Sequence, residues 1–400
     1  MRTLTLSCSL SLTGDYATMG RQAHAALRLF AADQNQAGGV CINGAWYSLA
    51  LDPHDDRSDA QECAAIYRSL CSEPRPENLL LLGPYSSRLT RVALPIAAER
   101  GMLLINHGGA ADDLNDPRNR LIVSVLSPAS DYLAGLVQLI VGLRFWRKRV
   151  AIVSAPSPFA RAVVGGVEAG CAARVARRRG VRLRLKASHP TAGDRVGLLA
   201  QLSRTRANVL VAAGSFEQDV ELVRAVIESD LNLPVIACVA AGVGGFATAL
   251  GALANGIIGP SQWEEQLTHR TEIGPPAADF ARRFRFANPD LGCDYPAAQA
   301  YAAGLIAIAA LKECTRLDHQ QLRAALSDLR TSTLFGDFAI DRVSGRQIGH
   351  KTLLVQWHEG RKVIIDPEVH AELGGLEIPS GWRLILGSIY RAAFQATKRE

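Results

Sequence analysis

The sequence predicts an α/β protein made of two doubly wound parallel-sheet lobes, and three observations carry that expectation. Apolar, β-branched-rich runs alternate with helical patterns over most of the chain, which calls for a parallel sheet with helices on both faces. The alternation comes as two successive series that share an architecture without sharing a sequence. The 400 residues, 48% of them hydrophobic, are enough to fill two cores.

In the first series TLTLSCSL opens a strand at 3–8, followed by a helix over 18–37, a strand at 46–51, a helix over 58–72, a strand at 78–83, a helix over 88–100 and a strand at 102–106. The interval 107–127 contains GGAADDLNDPRN and then the strand-like RLIVSVL, which places a first crossover between the lobes near 117–127. The second series runs RVAIVS at 149–154, helix 158–178, strand 181–187, helix 193–206, NVLVAA at 208–213, helix 216–230, strand 234–239 and a short helix near 243–253. GIIGPSQWEE at 256–265 reads as a second crossover and FGDFAIDRVSGRQIGH at 335–350 as a third. Between them 276–330 is helical, and the Ala/Leu spacing of YPAAQAYAAGLIAIAALKEC suits a buried helix. The expected division is 1–118 plus 262–333 for lobe I, 119–261 plus 334–366 for lobe II, and 367–400 as a carboxyl-terminal extension.

Charge and composition narrow the function classes. The net charge is +6 and the pI about 9.0, but the basic residues read as scattered, with one run at Arg177, Arg178 and Arg179 that suits a solvated turn better than a nucleic-acid site. No apolar run approaches the ~18 residues that span a bilayer, so no direct membrane insertion is expected. The eight cysteines form no CxxC and no metal spacing. Cys63 and Cys71 lie on one helix with about 12 Å of rise between them, too far to bridge, and the cysteines read as core residues. Met1 leads directly into the first strand without a charged segment, apolar stretch and cleavage site, so the chain as written is expected in the cytoplasm.

Sheets of this kind bind ligands at the carboxyl ends of their strands. The segments there are Leu12 to Met19, Pro53 to Arg57, Pro84 to Ser87, His107 to Ala110, Ala155 to Phe159, Ser215 with Phe216, and Ala240 to Gly242. They mix Gly, Ser, Pro and aromatic residues, the donors and apolar walls of a small-molecule pocket. LTGDYATMG, Gly38–Gly39, DPHDD at 52–56, GPYSSRLTRVALPIAAERG at 83–101, YPAAQAY and FGDFAID occur in an order that resembles the type I periplasmic solute-binding proteins, in particular the branched-chain amino acid binding proteins and their cytoplasmic relatives that sense short amides. The resemblance covers about residues 1–366. It implies two lobes joined by three crossovers that close on a ligand, a periplasmic location, and an ABC permease or a regulatory protein as partner.

The resemblance also implies site residues. The family's anchoring serine, opening a helix after the third parallel strand, corresponds to Ser87, preceded by Tyr85 and Ser86; a hydroxyl with free helix N–H groups can hold a carboxylate or amide oxygen, while capping alone would explain one of the two serines. The next backbone contact corresponds to Gly108, Gly109 and Ala110, where Ala110 replaces a usual Thr. Phe159 corresponds to a closing aromatic or to a cap on the core, Ser215 or Phe216 to a further contact, and Tyr16 and Met19 to the wall of the first turn. Amino-acid binders carry a carboxylate after strand 234–239, where this chain has Ala240 and Ala241. A buried ammonium without a counter-charge costs several kcal/mol, so the expected ligand is a small acid or amide without an amine unless Asp15 or Glu217 substitutes. The family's usual disulfide positions correspond to Ser58 and Ser86.

No catalytic residues, metal or cofactor are expected: GxSxG, Walker and HExxH motifs are missing, and the Asp52, His54, Asp55, Asp56 group suits capping of the next helix better than metal. GVGGFA at 242–247 fits GxGxxA after a strand and supports the competing class, a nucleotide-cofactor-dependent α/β enzyme, only weakly. WRLILGSIYRAAFQATKRE within 367–400 reads as an amphipathic helix that docks on a lobe or serves a homodimer or partner.

Overall fold

The computed structural model describes residues 2–73, 78–142, 147–190, 194–229, 231 and 233–365; the expected carboxyl-terminal helix lies outside them. The chain begins β1 (Arg2–Leu10), α1 (Ala17–Gln36), β2 (Val40–Ile42), β3 (Ala45–Asp55), α2 (Ala60–Leu70), β4 (Leu79–Leu82), α3 (Ser87–Glu99), β5 (Leu104–Asn106), β6 (Ile122–Ser124). It continues α4 (Ala134–Gly142), β7 (Lys148–Ser154), α5 (Pro158–Ala172), α6 (Arg174–Arg178), β8 (Val181–Ser188), α7 (Arg195–Thr205), β9 (Val209–Ala213), α8 (Phe216–Ile227), β10 (Val235–Cys238), α9 (Gly245–Leu250) and β11 (Ile258–Ser261). Three helices follow, α10 (Ala277–Ala287), α11 (Tyr295–Lys312) and α12 (His319–Asp328), then β12 (Thr331–Thr333), β13 (Gly336–Phe338), β14 (Leu353–His358) and β15 (Arg361–Ile364).

Two compact units result. One comprises the chain up to Pro128 together with Gln262–Lys351, the other Ala129–Ser261 together with the chain from Thr352. The first unit's sheet has the order β2-β3-β1-β4-β5-β6 and is parallel except for the β2–β3 hairpin. The second has the order β15-β14-β11-β10-β9-β7-β8, parallel from β11 to β8, with β14 and β15 added antiparallel. The α/β class and the two parallel sheets agree with the sequence reading.

Several details correct it. Residues 119–128, assigned to lobe II, belong to the first unit because β6 pairs with β5. Residues 334–351 belong there too: Gln347 donates through Nε2 to the Val125 carbonyl at 2.9 Å, and a Cβ on Gly345 would lie 2.0 Å from the Ile122 carbonyl oxygen. The expected helix 158–178 breaks at Ala173, whose φ of −56° and ψ of 142° separate α5 from α6. A hairpin also precedes β3, turning at Asn43 and Gly44, both at positive φ, the geometry that suits the strand twist.

The cores follow from the pattern. The second unit buries Leu210, Ile236, Phe246 and Trp357 in one cluster, and the Trp357 indole N–H donates to the Ala241 carbonyl at 2.8 Å. In the first unit α11 is buried on nearly every face, and Gly304 lets it approach α1, since a Cβ there would meet the Phe30 ring at 2.5 Å.

Where the chain leaves and re-enters the first unit, three side chains join. Ser127 donates its N–H to Gln262 Oε1 at 3.1 Å, and Gln262 Nε2 returns a bond to the Ser127 carbonyl at 3.0 Å. His350 Nε2 lies 2.8 Å from the Gln262 carbonyl and Nδ1 2.7 Å from Ser127 Oγ. A carbonyl only accepts, so the proton is assigned to Nε2, and neutral Nδ1 accepts from Ser127. Phe335 stacks on the imidazole at 4.3 Å.

Burial lowers the His350 pKa from 6.5 to about 4, against two backbone hydrogen bonds that raise it, and burial does the same to His107. Each folded-state pKa is below the unfolded value, so between these values the unfolded chain binds protons that the folded chain does not. Stability is therefore full above about pH 6.5 and falls as pH drops toward 4, by roughly 1.4 kcal/mol per pH unit for each imidazole. Denaturant titrations from about pH 7.5 to about pH 5 should show this fall, and His350→Gln should make it shallower; equal slopes would contradict the assignment.

All eight cysteines are free. The melting temperature should be the same with and without reductant, and a large drop on reduction would overturn the reading of the thiols as core residues.

Candidate functional site

Each sheet ends, at the carboxyl side of its parallel strands, in a set of loops organised by one or two buried polar side chains. In the first unit the loop SLTGDY is held by its neighbour. Asp55 accepts the N–H groups of Leu12 and Thr13 at 2.9 and 3.3 Å, and Asp56 accepts the hydroxyls of Ser9 and Ser11 at 2.8 and 2.6 Å. Ser58 donates its hydroxyl to the Thr13 carbonyl at 2.8 Å and accepts the Tyr16 N–H at 3.0 Å. The amides of Leu12, Thr13 and Tyr16 are therefore taken up by the protein's own side chains. Asp55 and Asp56 organise the turn instead of capping a helix, and the cap of α2 is Asp59, which accepts from Gln61 and Glu62. No metal-binding cluster occurs among the described residues.

Ser86 and Ser87 divide the two roles left open by the sequence. Ser86 is the N-cap of α3: its Oγ accepts the Leu89 N–H at 3.3 Å, and its φ of 100° is a strained value for a residue with a side chain. Ser87, 9% exposed, accepts the N–H groups of Ala110 and Ala111 at 3.0 and 2.9 Å. A hydroxyl has two lone pairs and one proton. With both lone pairs used, Ser87 is left as a donor. Its own amide and that of Arg88 lie in the first helical turn, which has no intrahelical acceptors.

Gly108 and Gly109 are present for close packing. A Cβ on Gly108 would lie 2.3 Å from the Pro84 carbonyl oxygen, and one on Gly109 2.6 Å from Thr90 Oγ1. Their N–H groups donate to Asn106 Oδ1 at 3.2 and 2.8 Å, while Asn106 Nδ2 donates to the Gly109 carbonyl and Ser124 Oγ. The structure thus joins Ser87 with Ala110 and ties Gly108 and Gly109 to Asn106. Tyr16 and Tyr85 stand beside each other with ring centroids 6.5 Å apart, and the Tyr85 hydroxyl lies 3.4 Å from that of Tyr295. Met19 is half-buried in the first turn of α1.

In the second unit one carboxylate does the organising. Asp219, fully buried on α8, accepts the Gly214 N–H at 2.8 Å on Oδ1 and the Ala240 N–H at 3.1 Å on Oδ2. His189 Nε2 lies 3.2 Å from Oδ1, its side chain also buried. Ala240 therefore belongs to an internal frame, and Asp219 has no oxygen turned outward. Ser215 is the N-cap of α8 in a reciprocal capping box with Gln218. Phe159 packs edge-on against Tyr132 at 5.4 Å, and Phe216 lies partly buried on the core. The candidates Asp15 and Glu217 are both exposed, and Glu217 accepts the Ser215 hydroxyl at 3.0 Å.

GVGGFA serves packing. A Cβ on Gly242 would lie 1.9 Å from the Pro260 carbonyl oxygen and one on Gly245 3.5 Å from the Phe216 ring. Sequence reasoning missed Asn106, Asp219 and Tyr295; the usable signals were a polar residue closing β5, an acid one turn after the helix cap, and the tyrosine opening YPAAQAY.

A periplasmic binding protein family model matches residues 4–362. The chain belongs to the periplasmic binding protein family. This binding protein shares its fold with solved relatives at low identity. A putative branched-chain amino acid ABC transporter protein from Silicibacter pomeroyi matches with TM-score 0.76 and 17% identity over 95% of this chain and 100% of that one. The substrate-binding protein of Streptococcus pneumoniae in complex with isoleucine matches with TM-score 0.73 and 17% identity over 92% and 100%. A solute-binding protein from R. palustris in complex with benzoate matches with TM-score 0.71 and 17% identity over 91% and 96%.

Ser87→Ala in the binding protein should destabilise the first unit by about 1–3 kcal/mol, since two buried N–H groups lose their acceptor, whereas Ser86→Ala should cost about 1 kcal/mol as a lost cap. Denaturant titrations of the two variants check this; equal losses would remove the distinction between them.

Proposed function

We propose that this protein is a non-catalytic solute-binding protein, the substrate-binding component of an ABC importer, and that its ligand is a small carboxylic acid or amide without an ammonium group. Ser87 carries the reading. Its lone pairs are committed to Ala110 and Ala111, so it meets a ligand as a donor beside the first-turn amides of α3, and such a group favours an acid or amide oxygen. At the strand ends of the second unit Asp219 spends both oxygens on Gly214 and Ala240, leaving neither to pair with an ammonium. In the first unit Tyr16 and Tyr85, with ring centroids 6.5 Å apart, supply aromatic surface against which an apolar acid packs. The benzoate bound to the R. palustris relative is a ligand of this kind, and the importer role places the protein outside the cytoplasmic membrane.

A second reading, a ligand sensor in a reducing compartment, is favoured by the eight free thiols. Both readings use the same site.

Calorimetric titration tests the ligand class. Benzoate and 4-methylpentanoate should bind at least tenfold more tightly than leucine, since a tenfold preference is ~1.4 kcal/mol and an unpaired buried charge costs more. Ser87→Ala should weaken the acid by about 1–3 kcal/mol. Micromolar binding of leucine, isoleucine or valine with none of the des-amino acid would show that another carboxylate meets the amine, and the proposal would fail.

A further inference from the structure

The chain's positive charge is concentrated in one place. Residues 144–206 carry fifteen Arg or Lys and only two acids, Glu168 and Asp194, so the remainder of the chain is net acidic. In sequence Arg147–Lys148–Arg149 and Arg177–Arg179 stand out as runs. The fold gathers more, because β7, β8 and β9 are parallel neighbours whose amino ends lie side by side. Lys148 Nζ donates to the Arg179 carbonyl at 3.1 Å, Arg182 donates to the Arg177 carbonyl at 2.7 Å, and Arg149 reaches the Arg206 carbonyl. Burial and the neighbouring Arg179 charge hold the Lys148 ammonium below its usual pKa.

We propose that this basic face, at the strand ends opposite the candidate ligand loops of the second unit, docks the protein on the anionic phospholipid headgroups of a membrane surface. Three observations favour that partner. The cations are almost all arginine, whose planar fork matches phosphate oxygens in pairs. Arg174, Arg178 and Arg184 are exposed and have no carboxylate partner among the described residues, so their charge is available. Val175, 65% exposed between Arg174 and Arg177, adds an apolar side chain of the sort that enters the headgroup boundary. Protection of an exposed sheet edge explains cations on β8, which is the edge strand, but not those on α6 or at the start of β7. The docking is independent of which solute is bound.

Flotation of the full chain with vesicles tests the proposal. Binding is expected to vesicles of phosphatidylglycerol mixed with phosphatidylcholine, absent with phosphatidylcholine alone, and lost in about 0.5 M salt, where the electrostatic range is roughly half that in physiological salt. The triple variant Arg174→Glu, Arg178→Glu, Arg184→Glu should bind at least tenfold more weakly while melting at the same temperature. The control Arg68→Glu, Arg100→Glu, Arg330→Glu has the same net charge and exposed positions in the first unit, and it should bind as the native protein does. Equal loss in both variants, no binding to anionic vesicles, or tighter capture by polyglutamate or duplex RNA than by the vesicles would each overturn it.

Discussion

The chain passes between its two units three times, and the whole architecture depends on those three passages starting from one fixed arrangement. Ser127 lies one residue before the first, Gln262 just after the second, and His350 one residue before the third. A reciprocal pair of hydrogen bonds joins Ser127 to Gln262, and the imidazole bonds to both. Segments more than two hundred residues apart in sequence are thereby held to within hydrogen-bond length. Such a network is costly when half-satisfied and rigid when complete, and here each ring nitrogen has a partner.

The candidate ligand loops repeat the same economy of design. A loop at a strand end has amides with no ladder to join, and buried amides must find acceptors. Asn106, Ser87 and Asp55 supply them in the first unit, Asp219 in the second. The residues expected to meet the ligand are thus positioned by residues that do not. In the proposed site, chemical specificity rests on the few polar atoms left over, chiefly the Ser87 proton and the first-turn amides of α3.

The alternation of strands and helices was legible because each βα step buries apolar residues on both faces of a parallel strand. Shorter features were not. β6 has three residues, too few for periodicity, so the first crossover was placed about ten residues early; the break at Ala173 has no Gly or Pro to announce it. The β2 hairpin could have been read from Asn43–Gly44. Within the candidate site Ser86 and Ser87 were visible as a pair, but their division of labour was not, because it depends on where Ala110 and Ala111 lie in space. Asp219 carries a signal in the sequence, but its role is hidden for a related reason. An acid in the first turn of a helix looks like a favourable dipole partner, and only the fold turns it inward onto Gly214 and Ala240.

The late addition of β14 to the second sheet has a bearing on biosynthesis. Trp357 fills the core beside Ile236 and Phe246, and its backbone pairs with Gly256 and Ile257, yet it emerges from the ribosome after all of residues 262–351. The second core therefore stays open while the first unit is being completed, and the nascent chain carries an unfinished apolar surface for roughly a quarter of its translation. At ~5–20 residues per second that exposure lasts several seconds or more. A chaperone that recognises exposed aliphatic segments has its opportunity in that interval, and a truncation before Trp357 leaves it permanently open.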